Sequence, residues 1–444
     1  MQAFLQDIYK ILIFLIIIKQ IFYWVYLWQL KEYRLDRFIA HFTAFRTLKS
    51  VFFEQFNFSQ ILRPKFTARA MVIVAFSFMV NILFASYIGL FSLLFVPFGV
   101  FIALFVTSFP FILEKYRIYS KAGKKMYNFE GKVIGITGSF GKTSTKELLY
   151  HILSKHFKTA KTSSFVNTQI GIGQDIIKNI SGKEEIFIVE MGAYKRGEIK
   201  KICAMVKPKI GIITGLGSQH LKLFGNFENL KKAKYELIDS IPKNGIGFIV
   251  NRDFDERDAK KVQVSEKCLE FDFQTIHFKI PVFGRQLVQN IIAAVKVSEF
   301  LGISMQDSAK DLRDFSSDVV YPKVIVRKRD IRFIDNTHNL NAEAFISLIK
   351  DLDCWKGYKK VVVTPGIIEL GESSKKIHKE IGKILTEKAD YIIVTKKEVF
   401  DDLNLGKKGV LISDFKLLKR KIEDFSNPKT VFLFAGRIPH EGIF

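Results

Sequence analysis

The chain has 444 residues, enough for two or three domains, with 68 Lys and Arg against 44 Asp and Glu and a formal net charge of +24. Its lysines are scattered and form no stripe interleaved with aromatics, so the charge reads as a solvated basic surface and no nucleic-acid partner is expected. The cysteines Cys203, Cys268 and Cys354 are odd in number and far apart, which excludes a disulfide framework and a zinc ribbon and points to reduced thiols in the cytosol.

The first 125 residues read as a membrane region. Residues 11–30 are strongly apolar, with Trp24, Tyr26 and Trp28 placed like an interfacial aromatic belt. Lys19 and Gln20 lie near the centre of this segment, and a mid-bilayer lysine costs about 2.5–3.5 kcal/mol on the insertion scale. The segment therefore either spans the bilayer or lies in its interface. Residues 71–113 hold no Asp, Glu, Lys or Arg, a run about twice the roughly 20 residues that cross a bilayer as helix. Gly89 and Pro97-Phe98-Gly99 interrupt it, which predicts a helical hairpin of residues 71–89 and 92–113. There is no basic leader or small-residue cleavage site of a signal peptide. Lys31, Arg34, Arg37, Arg46, Lys49, Arg63, Lys65 and Arg69 precede the hairpin, and Lys115, Arg117, Lys121, Lys124 and Lys125 follow it. By the positive-inside rule both stretches are cytoplasmic, which predicts a multi-pass plasma-membrane segment with lipid as its partner and the rest of the chain in the cytosol.

From Lys132 onward the pattern changes to soluble α/β. Short apolar runs at 186–190, 210–214, 247–250, 331–335, 361–364 and 391–395 alternate with helical stretches, which predicts parallel sheets built from βαβ units. No internal repeat or low-complexity segment is seen.

Residues 135–144 read GITGSFGKTS between an apolar strand and a helical stretch. A glycine-rich turn there cradles phosphate: backbone N–H groups and the helix N-terminus face the anion, Lys142 reaches the outer phosphates, and the Thr143 hydroxyl can ligate Mg²⁺. The general P-loop pattern wants glycine where this chain has Ile136. Glu190 ends the strand at 186–190, and a carboxylate at a strand's C-terminal end beside a P-loop is the usual place for a magnesium ligand.

The form Thr137-Gly138-Ser139-Phe140-Gly141-Lys142-Thr143 resembles the loop of the Mur ligases, and the segments after it extend the resemblance over residues 130–444. Ser163 to Gly171 is similar to the family segment touching acceptor and nucleotide phosphates, which implies substrate contacts for Asn167 and Thr168. The run Thr214 to Leu221, then Ala233-Lys234-Tyr235-Glu236, implies that His220 binds a second magnesium and that Lys234 is carbamylated by CO₂, becoming an anionic ligand positioner. Asn251 lies in an Asn-x-Asp turn similar to the family's, near the nucleotide. Gly284 to Ala294 matches a family helix start at Gly284, Asn290, Ala293 and Ala294 but carries Gln286-Leu287 in place of His-Asn. Asp335 to Asn341 resembles the loop beside ribose and adenine, implying nucleotide contacts for Asp335, His338 and Asn339. Lys323 stands near the place of a family arginine. Thr364 to Glu372, with His378 downstream, resembles the branch of the family that adds D-alanyl-D-alanine.

The resemblance implies a P-loop central domain at 126–320, a Rossmann-like C-terminal domain at 321–444, and an ATP- and Mg²⁺-dependent amide ligase of cell-wall precursor synthesis. Lys142, Glu190, His220 and Lys234 carry catalysis in this reading, with Thr143, Glu190, His220 and modified Lys234 at the metals. Thr137 to Ser144 cradle the nucleotide, Ser144 closing the loop. The acceptor would be a muramoyl peptide, UDP- or lipid-linked, the amine D-alanyl-D-alanine, and the setting a cell-wall synthesis complex. The family's soluble uridine-binding domain is replaced here by membrane sequence. A different acceptor or amine, and a scaffold that only binds nucleotide, remain as alternatives.

Overall fold

The computed structural model describes all residues except 1, 32, 36–37, 40–51, 58–61, 218–223, 254–257, 339, 368–369, 371–373 and 439–444. The chain divides into two compact units, Met1–Ile118 and Tyr119–Phe444.

In the first unit, α1 (Gln2–Leu30) and α2 (Ala68–Ile88) are apolar on nearly all sides, as is α3 (Ser92–Tyr127, which continues into the second unit) as far as residue 113. The turn of the hairpin is a short 3₁₀ segment, Gly89–Phe91. Pro97 and Pro110 both lie inside α3. Gly99 lies within α3, and a Cβ on it would stand 2.4 Å from the Asn81 amide, so the Asn81 side chain of α2 occupies the space that Gly99 leaves. Ile17, Ile21, Trp24, Val25 and Trp28 of α1 pack with Ile73, Val96, Val100 and Leu104. Lys19 is buried with them, and its ammonium donates to the backbone carbonyls of Gln55 and Asn57, both at 2.6 Å. Two stretches, Asp7–Leu30 and Ala68–Tyr127, are long and apolar enough to cross a bilayer, with mean hydropathies of 2.0 and 2.5.

Among the described residues the second unit holds three sheets. The first has the order β2 (Thr159–Lys161), β3 (Ile186–Glu190), β1 (Lys132–Thr137), β4 (Ile210–Ile213), β5 (Ile246–Ile249), all parallel. Alternate residues point to opposite faces of a strand, and a parallel sheet is covered on both. Val133, Phe187 and Val189 accordingly join a core with α5 (Gln169–Asn179), α6 (Glu198–Val206), α7 (Phe227–Asp239) and the end of α3. Ile134, Ile136, Ile186 and Ile188 face the other way, onto α4 (Lys142–Leu153) and α8 (Val288–Phe300).

The second sheet is an antiparallel meander, β6 (Ala259–Val264), β7 (Leu269–Phe273) and β8 (Ile276–Ile280), whose Leu269, Phe271, Phe278 and Ile280 extend the core under α8. After α9 (Met305–Asp311) comes a six-stranded sheet. Its order is β13 (Gly409–Leu411), β12 (Tyr391–Val394), β11 (Lys359–Thr364), β14 (Thr430–Ala435), β10 (Ile331–Asn336), β9 (Lys323–Arg327). Five strands run parallel, but β9 pairs antiparallel with β10, so this sheet is mixed where parallel order was expected throughout. Helices α10 (Ala342–Asp351), α11 (Ser374–Lys388) and α12 (Lys397–Leu403) cover one face, and α13 (Phe415–Phe425) the other.

Candidate active site

The loop between β1 and α4 is shaped by two residues that must be glycine. Gly138 has φ 151° and Gly141 φ 79°; a Cβ at the first would meet Thr214 Oγ1 at 2.0 Å, and at the second Asn290 Oδ1 at 2.3 Å. Asn290, at the start of α8, also accepts from the Thr145 hydroxyl at 3.3 Å, so it braces the loop from below. Ser139 N–H donates to Gly215 O at 2.9 Å, and the Phe140 ring covers Gly215 and Gly217. The Thr137 hydroxyl donates to Met191 O at 2.9 Å, tying β1 to the end of β3.

Glu190 is the electrostatic centre of this loop. Its Oε2 accepts from Thr143 Oγ1 at 3.0 Å and its Oε1 from Asn167 Nδ2 at 3.0 Å, while Lys146 Nζ stands 3.2 Å from Oε2. Burial alone would raise the pKa of this carboxyl; Lys146, then Lys142 and the two hydrogen bonds, overcome that and hold it below its ordinary value. Lys142 donates to the carbonyls of its own loop, Gly138 at 2.8 Å and Ser139 at 3.2 Å. Desolvation lowers its pKa, and Glu190 opposes the shift.

The donor set suits a phosphate-bound divalent cation. Among the described residues no three His, Cys, Asp or Glu side chains converge as metal ligands. The loop itself offers one carboxylate and one hydroxyl, and Mg²⁺ is commonly held by one or two carboxylates plus substrate phosphates and water. The Ser139 hydroxyl is buried with no partner in the protein, as expected of a group whose acceptor arrives with a ligand.

Lys234, on α7, is 3% exposed. Burial, with a further push from Lys142, lowers its pKa to about 7 against the pull of Glu198 and Glu236. An amine half neutral at pH 7 is the form that can add CO₂. His220 lies outside the described residues, as do Asn339 and, from the 364–372 motif, Ile368, Glu369, Gly371 and Glu372.

The remaining expected site residues fall on the C-terminal edges of the two large sheets. Thr168 uses its hydroxyl as the N-cap of α5. Asn251 follows β5 with φ 65°, two strands from β1. In the mixed sheet, Lys323 and Asp335 are register partners on β9 and β10, and Asp335 accepts from Thr337 N at 3.0 Å and Thr337 Oγ1 at 2.8 Å. Lys323 Nζ lies 4.9 Å from the centre of the Tyr321 ring. His338 stands between Tyr321 and Phe165, at centroid distances of 5.4 and 4.1 Å. Desolvation, then the Arg437 charge, keeps its pKa below the ordinary value. Phe165 has φ 64° and belongs to the loop that carries Asn167, so this contact joins the Glu190 side of the site to the β10 loop. His378 is buried, with Nε2 accepting from Ile367 N–H at 3.1 Å and Nδ1 facing Ser374 O at 2.9 Å, so it ties Ile367 to α11.

The expectations from sequence did not include Lys146, Phe165, Tyr321 or Arg437. A weak signal existed for the first: Lys146 follows Lys142 by four residues, on the same helix face, with Glu147 beside it.

Comparison with known proteins gives the same picture. Residues 136–266 match the Mur ligase middle domain. The UDP-N-acetylmuramoyl-tripeptide–D-alanyl-D-alanine ligase of Bacillus subtilis is 27% identical over 57% of this chain and 60% of its own length; that of Borreliella burgdorferi is 30% identical over 61% and 63%. The chain thus spans about three fifths of the length of the curated relatives it matches. Among solved structures, the MurF ligase of Thermotoga maritima in complex with ADP superposes with a TM-score of 0.65 at 29% identity, covering 73% of this chain and 80% of its own. MurF from Acinetobacter baumannii gives 0.66 at 25%, covering 74% and 79%. Over residues 136–266 the chain is thus similar to the Mur ligase middle domain, and the relatives it resembles are ligases of the MurF type.

Proposed function

We propose that this chain is an ATP-dependent amide ligase of peptidoglycan synthesis that joins D-alanyl-D-alanine to the terminal carboxylate of a muramoyl peptide. The observation that carries the reading is the convergence of Thr143, Lys146 and Asn167 on Glu190 beside a glycine-shaped phosphate loop. The names of the relatives supply the amine and the acceptor class, and the ADP complex of one of them supports a nucleotide in this loop.

In this reading the chain's residues work by position and charge, because a carboxylate must approach a triphosphate. Lys142 leaves the carbonyls of Gly138 and Ser139 for the outer phosphates. Mg²⁺ held by Thr143 and Glu190 supplies further neutralisation of the phosphates. Lys234, as its carbamate, and His220 position the acceptor carboxylate, which takes the γ-phosphoryl group; the amine then displaces phosphate from the acyl phosphate. Asp335, His338 and Asn339, with Lys323, meet the nucleotide from the C-terminal domain (321–444), across the site from the central domain (126–320).

Residues 1–125 form the membrane region in this proposal, leaving the catalytic domains in the cytosol at the plasma membrane, within reach of a cell-wall synthesis complex. Support comes from the outward faces of its helices, where Phe105 is 75% exposed and Phe109 67%, and from Lys19, whose charge is met by carbonyls inside the unit. A lipid-linked acceptor is the second reading, favoured by the same exposed apolar faces.

The test is phosphate release by detergent-purified full chain with ATP, Mg²⁺ and D-alanyl-D-alanine. It compares the UDP-linked muramoyl tripeptide with its lipid-linked counterpart. Turnover with the first supports a tethered ligase, and turnover with the second alone makes the acceptor a lipid. Silence with both, beside normal nucleotide binding, overturns the ligase reading in favour of a scaffold.

A further inference from the structure

Lys146 is the unusual residue of the site. Its side chain is fully buried (0% exposed), one helical turn beyond Lys142. Lysine is almost never found in that state unless paired. Its ammonium lies 3.2 Å from Glu190 Oε2, 3.7 Å from Glu147 Oε1 and 3.5 Å from Ser163 O. Glu147 is itself buried, and its other oxygen pairs with the partly exposed Lys161. Lys161, Glu147, Lys146 and Glu190 thus alternate in sign from the flank of α4 to the phosphate loop, and the four charges sum to zero.

The oxygen that Lys146 faces is the one that also accepts from Thr143. That is the oxygen a cation coordinated by Thr143 and Glu190 would take. We propose that Lys146 is a positioning residue acting through Glu190: it aims the carboxylate and cancels its charge, so that a free divalent cation gains little there. The cation is then held only when nucleotide phosphates contribute their own charge, and metal and nucleotide enter together. The inference rests on the nucleotide-binding reading of the loop, but not on which acceptor or amine is used. A fixed unit charge at such a distance in a partly dry site outweighs ordinary surface effects.

The experiment is titration of Mn²⁺ into nucleotide-free, detergent-purified full chain, followed by electron paramagnetic resonance of the unbound ion. Wild type should bind weakly, and Lys146→Met should bind one Mn²⁺ about tenfold more tightly or better, the gain disappearing in Lys146→Met/Glu190→Gln. A folded Lys146→Met protein, checked by its melting transition, that binds Mn²⁺ no more tightly than wild type overturns the proposal. So does a wild-type chain that already binds one tightly held Mn²⁺ lost in Glu190→Gln. If Lys146→Met does not fold, Lys161→Met provides the second arm. With Lys161 gone, Glu147 draws Lys146 from Glu190, and a severalfold gain in Mn²⁺ affinity is expected; an unchanged affinity overturns the proposal. Binding of a fluorescent ADP analogue to wild type is measured alongside. Its absence would sink the nucleotide-binding reading itself, separately from the role of Lys146.

Discussion

Two buried lysines, one in each unit of the chain, show different described partners. In the N-terminal unit the Lys19 ammonium donates hydrogen bonds to the backbone carbonyls of Gln55 and Asn57. In the P-loop unit Lys146 faces the carboxylates of Glu147 and Glu190. Carbonyl dipoles solvate a charge without cancelling it, and they are fixed parts of the backbone. Carboxylates cancel it, and one of these belongs to the site. The first arrangement makes an apolar bundle tolerate a lysine at about its middle; the second makes a lysine part of how a carboxylate is presented. Lys142 shares features of both, resting on the carbonyls of Gly138 and Ser139 while feeling the field of Glu190.

That intermediate position yields the largest expected effect. Lys142 rests on carbonyls of its own loop and can leave them for phosphate, which Lys19 cannot do without disturbing its unit. Lys142→Ala should lower ATP-dependent turnover by about 10³-fold, the upper range for losing one charge-stabilising donor. Recovery of the detergent-solubilised protein should be unaffected. Full activity in the variant would remove the distinction between Lys142 as a working group and Lys19 as a packed one.

Lys234 sharpens the comparison from a third side, because it is buried with neither arrangement complete. The folded-state pKa near 7 lies below the ordinary lysine value of 10.5. Between those values the unfolded chain binds the extra proton, so wild-type stability should rise with pH from about 7 to about 10.5. Below about 7 both states are protonated and the full penalty of burying the charge is present. Lys234→Met should therefore gain on wild type by about 5 kcal/mol at pH 6, at about 1.4 kcal/mol per pKa unit, and the gap should close toward pH 10. Denaturant melts in CO₂-free buffer at several pH values would test this. Parallel curves for the two proteins would mean that Lys234 titrates as an ordinary lysine.

These contrasts also mark how far the sequence could be read. The phosphate loop and Glu190 were legible because their chemistry is local: glycines at fixed spacing between a strand and a helix, and a carboxylate ending the next apolar strand. The parallel sheet was legible for the same reason, since β3 and β4 are short continuous apolar runs. The meander of β6 to β8 was not, because Lys260, Gln263, Glu270 and Lys279 interleave its apolar residues and leave no run to notice. The reversal of β9 left no trace in Lys323–Arg327, which reads as a strand in either direction. The burial of Lys146 left only a weak signal, for a deeper reason. A lysine on a helix is ordinarily solvated, and this one is buried only because β3 brings Glu190 and the following loop brings Ser163 against it. The contact of Phe165 with His338 is of that kind too, made by residues 173 positions apart.

The smallest expected effect bears most directly on the two lysines. Lys19→Met removes the ammonium that donates to the Gln55 and Asn57 carbonyls, at about 1–3 kcal/mol for a carbonyl left unmet, and it removes the need to bury a charge, which offsets part of that. Lys146→Met leaves two buried carboxylates with half their counter-charge, a change of the kind that costs about 3–5 kcal/mol. Thermal melts of the full chain should therefore rank Lys19→Met well above Lys146→Met, with the affinity of Lys19→Met for a fluorescent ADP analogue unchanged. If the two variants lose equal stability, carbonyls and carboxylates serve these lysines alike. The burial of Lys146 would then be a packing solution like that of Lys19, with no bearing on how Glu190 meets its cation.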